Sequence, residues 1–342
     1  MKERKALISV VILAALLFTL LAGCGTKPAT QAQPDITPLE APAPAASQPE
    51  EVPAPATEQA SSAINVTDMM GREISLAAPA SKIVVLTAAE CEILYAIGAG
   101  KAVVGKGEYC DWPADAADVP VVNSGYQTNV EQIIALEPDV VIMNSMDQSP
   151  EDVTKLEEAG IRVAVTVAAD IAGVYESISL IGALTGKDAE AASLVESMKA
   201  VFDGIGANPA GDGEQTVYFE VSPLQWGLWT AGKGTFMDEV ATLVGLKNCF
   251  GDVDGWAEVS EEQVLERNPD FIVTISMYYG EGPTPIEEIL GRAGWENVTA
   301  VKNESILNLQ DNELTRPGPR LADGAVMLND FVAAQNALDQ AA

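Results

Sequence analysis

The chain contains no histidine. That absence removes the commonest zinc ligand, the commonest general base and the side chain that ordinarily titrates near neutrality. A Ser-His-Asp or Cys-His catalytic site is impossible without it. Basic residues are scarce as well, 19 against 50 acidic ones in 342 residues, for a formal charge of −31. So acidic a surface repels phosphate backbones and anionic membranes, which argues against nucleic-acid binding. There is no G-x-S-x-G elbow, no P-loop and no G-x-G-x-x-G turn after a strand, and no carboxylate pair stands out as catalytic. Cysteines number four, at spacings that match no metal pattern. Aromatics make up only 6%, so the places where they cluster carry information.

One strongly apolar run is present, Ala6 to Leu21, preceded by Lys2, Arg4 and Lys5 and followed by Leu21-Ala22-Gly23-Cys24. It is short for a full membrane span and has the n-region, h-region and small-residue order of an export signal. The tetrapeptide resembles the bacterial lipobox. That resemblance implies that Cys24 is lipidated as the first residue of the mature protein, with the remainder on the outer face of the cytoplasmic membrane. Export permits disulfides. Of the remaining cysteines, Cys91, Cys110 and Cys249, the first two could bridge, or all three could serve as small buried hydrophobes.

Residues 25–63 are Pro, Ala, Gln, Ser and Thr with few large apolar side chains. Such a composition buries too little surface to offset its ordering entropy, so a disordered tether is expected. From Ile64 onward short β-branched runs alternate with helical stretches, the signature of parallel sheets covered by helices. The expected fold is α/β. An N-terminal lobe spans 64–169, a long connecting helix 170–206, with Gly182 and Gly186 as candidate breaks, and a C-terminal lobe 207–342. The halves repeat: NVEQIIALEPDVVI at 129–142 matches SEEQVLERNPDFIV at 260–273, at an offset of 131. Each copy reads as helix, Pro-Asp turn and buried strand.

The repeat singles out Glu131 and Glu262. Asn129 with Gln132, and Ser260 with Gln263, have capping-box spacing. A glutamate in the first helical turn is favoured by the helix dipole, a sufficient structural reason for both. The functional alternative is a symmetric docking mark for a partner carrying matching arginines. The aromatics cluster in loops after strands: Tyr109, Trp112 and Tyr126 in the first half, then Trp226, Trp229, Trp256, Tyr278 and Tyr279 in the second. Ligands of open parallel sheets bind beyond the carboxyl ends of the strands, so these side chains are candidate walls of a ligand cleft. Arg316 and Arg320 in TRPGPR either face that cleft or cap the last helix, with Pro317 and Pro319 shaping the turn; local geometry favours the cap.

The segments VTDMMGREISL, AAECEILYAIGAGKAVVG, YCDWP, NVEQIIALEPDVVI, VSEEQVLERNPDFIV and TRPGPRLADGA follow in this order between about Ile64 and Asn336. On them rests a resemblance to the substrate-binding proteins of bacterial iron-siderophore, haem and vitamin B12 importers. It implies two lobes joined by one rigid helix, as in class III periplasmic-binding-protein-like folds, and a monomer that serves an ABC permease and ATPase without a cofactor of its own. It also implies that Glu131 and Glu262 meet permease arginines. Within the family the YCDWP segment, Tyr126 and Trp256 match positions that flank a corrinoid, which makes a cobalamin-like cargo the expected ligand. A siderophore or haem remains the alternative in the same class. From other classes there remain a cofactor-bearing enzyme on a similar scaffold and a signalling receptor that uses the same lobes.

Overall fold

The computed structural model describes residues 63–341 apart from 125–127, 146–148 and 311. The expected leader, Cys24, nearly all of the tether and Tyr126 therefore lie outside the described residues.

The first lobe opens with a hairpin of β1 (Ile64–Thr67) and β2 (Glu73–Leu76). It continues through β3 (Ile83–Val85), α1 (Ala88–Ala96), β4 (Val103–Lys106), α2 (Val130–Ala135), β5 (Val140–Asn144), α3 (Pro150–Glu158) and β6 (Val163–Thr166). Two helices follow, α4 (Ile171–Thr185) and α5 (Asp188–Ala207). The second lobe comprises β7 (Thr216–Glu220), β8 (Leu228–Ala231), α6 (Phe236–Val244), β9 (Lys247–Asn248), β10 (Trp256–Val259), α7 (Glu261–Arg267), β11 (Phe271–Thr274), α8 (Pro285–Leu290), α9 (Thr299–Lys302), β12 (Ile306–Asn308) and α10 (Leu321–Asp339).

Each lobe is built on a parallel four-stranded sheet, ordered β4-β3-β5-β6 in the first and β9-β7-β11-β12 in the second. Numbered within its own lobe, each sheet has the order 2-1-3-4, so the sequence repeat is a repeat of topology. Both Pro-Asp turns perform the same task. Asp139 accepts from the backbone N–H and hydroxyl of Ser81 and from the N–H of Lys82. Asp270 accepts from the N–H and hydroxyl of Thr216. Each aspartate thus ties the start of its lobe's third strand to the start of the first. Glu137 and Asn268, equivalent positions at the ends of α2 and α7, both adopt the left-handed conformation, at φ 49° and 44°.

The strands read as continuous apolar runs because both faces are covered. Along β5, Val140 and Ile142 join a core cluster shared by both lobes, whereas Val141 and Met143 face a separate cluster on the outer side. In β11, Phe271 and Val273 join the shared cluster and Ile272 faces its own outer cluster around Trp295. Cys91 and Cys110 are buried in the first lobe and Cys249 is half-buried; all three are free thiols. The hydrogen bond with Cys91 and burial push the Cys110 thiol far up, and both residues pack in the core cluster as the small hydrophobes considered above.

The connector differs from the single helix expected over 170–206. Gly186 breaks the run: at φ 65° it ends α4 in the left-handed conformation, and the N–H of Lys187 returns to the carbonyl of Gly182 at 2.7 Å. The chain then folds back. The ammonium of Lys199 lies 5.5 Å over the Tyr175 ring, and a Cβ on Gly182 would come within 2.5 Å of the Ala191 Cβ. The helices are therefore an antiparallel pair, and Gly182 is a close-packing position rather than a break. At its start α4 touches the second lobe, since Phe236 N–H donates to the carbonyl of Ala169 and Ile171 N–H to Glu239. α5 makes the return crossing and packs on α6 and α10.

Candidate functional site

Three short pieces meet at the carboxyl edge of the first sheet. Thr87 follows β3, Asn144 ends β5 and Thr166 ends β6. The carboxylate of Glu90, fully buried on α1, gathers all three: it accepts from the hydroxyl of Thr87, from the Thr166 hydroxyl at 2.6 Å and from the Asn144 amide at 3.3 Å. A buried carboxylate without such donors would be costly. The cluster gives this edge a fixed polar floor.

Above that floor lies an interlobe cleft of about 240 Å³. Thr87 and Asn144 line it from the first lobe, Phe236 and Trp256 from the second, and Thr315 and Arg316 from the segment before α10. Trp256 begins β10, which pairs with β8, and it is held by a tilted ring contact with Phe236 at 5.6 Å. A larger cavity, about 770 Å³, opens at the carboxyl ends of β7 and β11, a volume in the usual range of ligand pockets. Glu220, Trp226, Ser276, Tyr278, Glu281 and Glu288 contribute to its walls.

Behind that wall the Arg292 guanidinium is 2% exposed and reaches both oxygens of Glu220, at 2.6 and 2.8 Å. It also donates to Glu288 and stacks 4.6 Å from the Trp295 ring centroid. Burial pushes the Glu220 carboxyl upward, against the pull of Arg292.

Arg320 occupies the N-cap position of α10, but no side chain caps that helix start. Arg316 and Arg320 instead donate to Glu92 on α1, the former at 2.9 Å and the latter at 2.7 and 2.9 Å. Arg316 also reaches Asp111 at 2.7 Å and the carbonyl of Tyr109 at 3.1 Å. Burial works against the Arg316 charge, but Asp111 and Glu92 outweigh it. A local capping argument fails here because the anion that fixes both guanidiniums lies on the other lobe.

The expected aromatic wall divides accordingly. Trp256 lines the interlobe cleft, and Trp226 and Tyr278 line the larger cavity. Trp112 lies under the Arg320 guanidinium at 4.6 Å, and Tyr109 is exposed beside Arg316. Trp229 is exposed on β8 opposite Glu258 and lines neither cavity. Sequence reasoning missed Asn144, Glu220 and Ser276. Each stands at or just past the end of a buried strand, so their position was the available signal.

Glu131 and Glu262 are exposed in the first turns of α2 and α7. The second site has a complete capping box, with Ser260 and Gln263 exchanging bonds. In the first, Asn129 accepts from the Gln132 N–H, but the Gln132 side chain accepts instead from the Asn123 N–H. The Glu262 carboxyl is held below its ordinary value by its own N–H and by Ser260, so it stays ionised at neutral pH.

Comparison with known proteins bears on this arrangement. The periplasmic binding protein family matches residues 83–313. An uncharacterized ABC transporter substrate-binding lipoprotein of Bacillus subtilis, YvrC, is 32% identical over 338 residues, covering 97% of this chain and 98% of the relative. A cobalamin-binding protein of Halobacterium salinarum is 29% identical over 276 residues, covering 77% of this chain and 73% of the relative. A crystal structure from Staphylococcus epidermidis, described as a possible iron-binding (periplasmic solute-binding) protein, superposes with a TM-score of 0.64 at 31% identity, covering 74% of this chain and 98% of that one. Two parallel-sheet lobes, cavities at their carboxyl edges and a match across most of the length converge on one conclusion: the chain belongs to the periplasmic binding protein family and is a binding protein, not an enzyme.

Proposed function

We propose that the chain is the substrate-binding component of an ABC importer that captures a corrinoid and delivers it to a permease–ATPase complex. In this reading a lipid on Cys24 holds it at the outer face of the cytoplasmic membrane, and Glu131 and Glu262 grip arginines of the permease. The observation that carries the ligand assignment is the character of the walls. Trp256 and Phe236 in the cleft, with Trp226 and Tyr278 in the larger cavity, offer flat apolar faces. Ser222, Gln225 and Ser276 beside them offer polar groups. A corrin macrocycle is broad and flat, apolar on its faces and rimmed by amides, and it suits such walls. The likeness to a relative named for cobalamin binding supports the same choice.

A second reading has its own observation. Met277, Tyr278 and Tyr279 stand together at the larger cavity, and a phenolate or thioether can ligate haem iron where histidine is absent. Titration of the purified full chain with cyanocobalamin separates the two, followed by tryptophan quenching and calorimetry. Saturable one-to-one binding, weakened by Trp256→Ala, supports the corrinoid reading. If cyanocobalamin fails to bind while haem does so with a new Soret band, the cargo is haem and the corrinoid assignment falls.

A further inference from the structure

The larger cavity has a composition that its aromatic walls do not explain. Three carboxylates border it, Glu220, Glu281 and Glu288, and among the described residues no lysine or arginine lines it. The Arg292 guanidinium lies behind the wall and is already divided between Glu220 and Glu288, with both oxygens of Glu220 engaged. Glu281 is exposed at the rim. In the interlobe cleft the lining cation Arg316 is likewise engaged, by Asp111 and by Glu92, which it shares with Arg320. A guanidinium held by two carboxylates presents little net positive field to a third anion. The acids bordering the larger cavity therefore exceed the one guanidinium that compensates them.

We propose that the cavity of the second lobe selects its ligand by charge, taking a face that presents neutral amides or cationic groups and rejecting one that presents carboxylate or phosphate. The carboxylates accept hydrogen bonds from ligand N–H donors, and such charge-assisted bonds outweigh neutral ones. An anionic group in the same place meets like charge with no donor cation to offset it, which is how binding sites discriminate against the wrong partner. The inference rests on the reading of this cavity as a ligand site, and it narrows the cargo to a chemical class.

The test compares ligands that differ at one peripheral group, a neutral amide donor replaced by an anionic carboxylate. Cyanocobalamin is set against its monocarboxylic acid derivatives, in which one peripheral amide is hydrolysed to a carboxylate, by calorimetry with the full chain at pH 7. The acids are expected to bind at least about tenfold more weakly, since like charges brought together cost that much or more. The gap should narrow in 1 M salt, where the Debye length falls to about 3 Å, and in the Glu281→Gln variant. Equal binding of amide and acid forms would overturn charge selection and leave the corrinoid assignment standing. If neither form binds, the corrinoid assignment falls and ferric siderophores carry the comparison. Uncharged ferrichrome binding in preference to trianionic ferric enterobactin would uphold the charge rule, and the reverse order, or binding of neither, would overturn it.

Discussion

The carboxylate of Glu92 and the guanidinium of Arg320 meet at 2.7 Å across 228 positions of sequence, with Arg316 sharing the same carboxylate. Glu92 sits on the first helix of one lobe, and the arginines precede the last helix of the chain. The tie therefore spans the two ends of the body next to the interlobe cleft. It supplements α5 as a link between lobes and opposes wide separation of the cleft walls.

Removal of that carboxylate should be expensive. Glu92 is 2% exposed at its side chain and the arginines 11% and 12%, and breaking a buried pair costs about 3–5 kcal/mol because the partner charges stay behind. Glu92→Ala should lower unfolding free energy by about 3 kcal/mol in urea titrations. A loss under about 0.5 kcal/mol, the range of ordinary surface changes, would mean that the tie is not energetically coupled to folding.

Arg292→Met isolates the second buried cluster. It strands Glu220 without its cation, at a cost of about 3–5 kcal/mol near neutrality. Burial already raises the Glu220 carboxyl, and without Arg292 it rises further. A raised carboxyl contributes stability below its unfolded value and loses it as pH rises through the folded value. The variant should therefore be less destabilised at pH 4.5 than at pH 7. A deficit that is independent of pH would refute the assignment of the cost to Glu220. Adding Glu220→Gln should recover part of it.

Asp139 gives the opposite sign. Burial would raise its carboxyl, but the Ser81 and Lys82 N–H groups prevail and hold it below the ordinary carboxylate value. Asp68 behaves alike, with Arg72 and the Val165 N–H outweighing burial. Depressed carboxyls contribute fully above the unfolded value and lose that stability as pH falls through the folded one. Thermal stability should therefore decline between about pH 4 and pH 2. Asp139→Asn should flatten part of that decline while costing about 1–3 kcal/mol at pH 7. An unchanged acid profile in this variant would show that Asp139 is not among the groups responsible.

For Glu131 and Glu262 the expected outcome is functional rather than structural. Each is exposed at a helix start, where the dipole favours a negative side chain. Lysine at both positions should leave ligand affinity unchanged and the fold intact. Stimulation of ATP hydrolysis by the cognate permease–ATPase complex should fall at least about tenfold, as expected of a charge-reversed interface. Stimulation at the wild-type level would exclude these glutamates as docking residues.

Local chemistry made much of this protein legible in its sequence. The β-branched runs at Ile83, Val140, Val163, Thr216 and Phe271 all form parallel strands, because burial on both faces demands such runs. The equivalence of the halves was readable from Pro138-Asp139 and Pro269-Asp270, since a turn that must tie two strand starts needs the same residues each time. Ser260 with Gln263 declared its helix start for a similar reason: capping acts over three residues.

Contacts distant in sequence were decided by the tertiary structure alone. Periodicity marks an apolar helix but not its direction, so the break at Gly186 was a candidate in 170–206, whereas the fold-back there and the packing of Gly182 on Ala191 could not be read. Arg316 and Arg320 looked like capping residues because their neighbours are prolines, whereas their anion lies on α1. Aromatic residues announced themselves by type, yet only the packing sorts Trp256, Trp226 and Tyr278 into cavities and leaves Trp229 on the surface. Sequence determined which elements form and that they form twice, because hydrogen bonding and capping act between near neighbours. The fold alone decided which side chains share a cavity and which charges are neutralised, because Coulombic and packing forces act through space and ignore order along the chain.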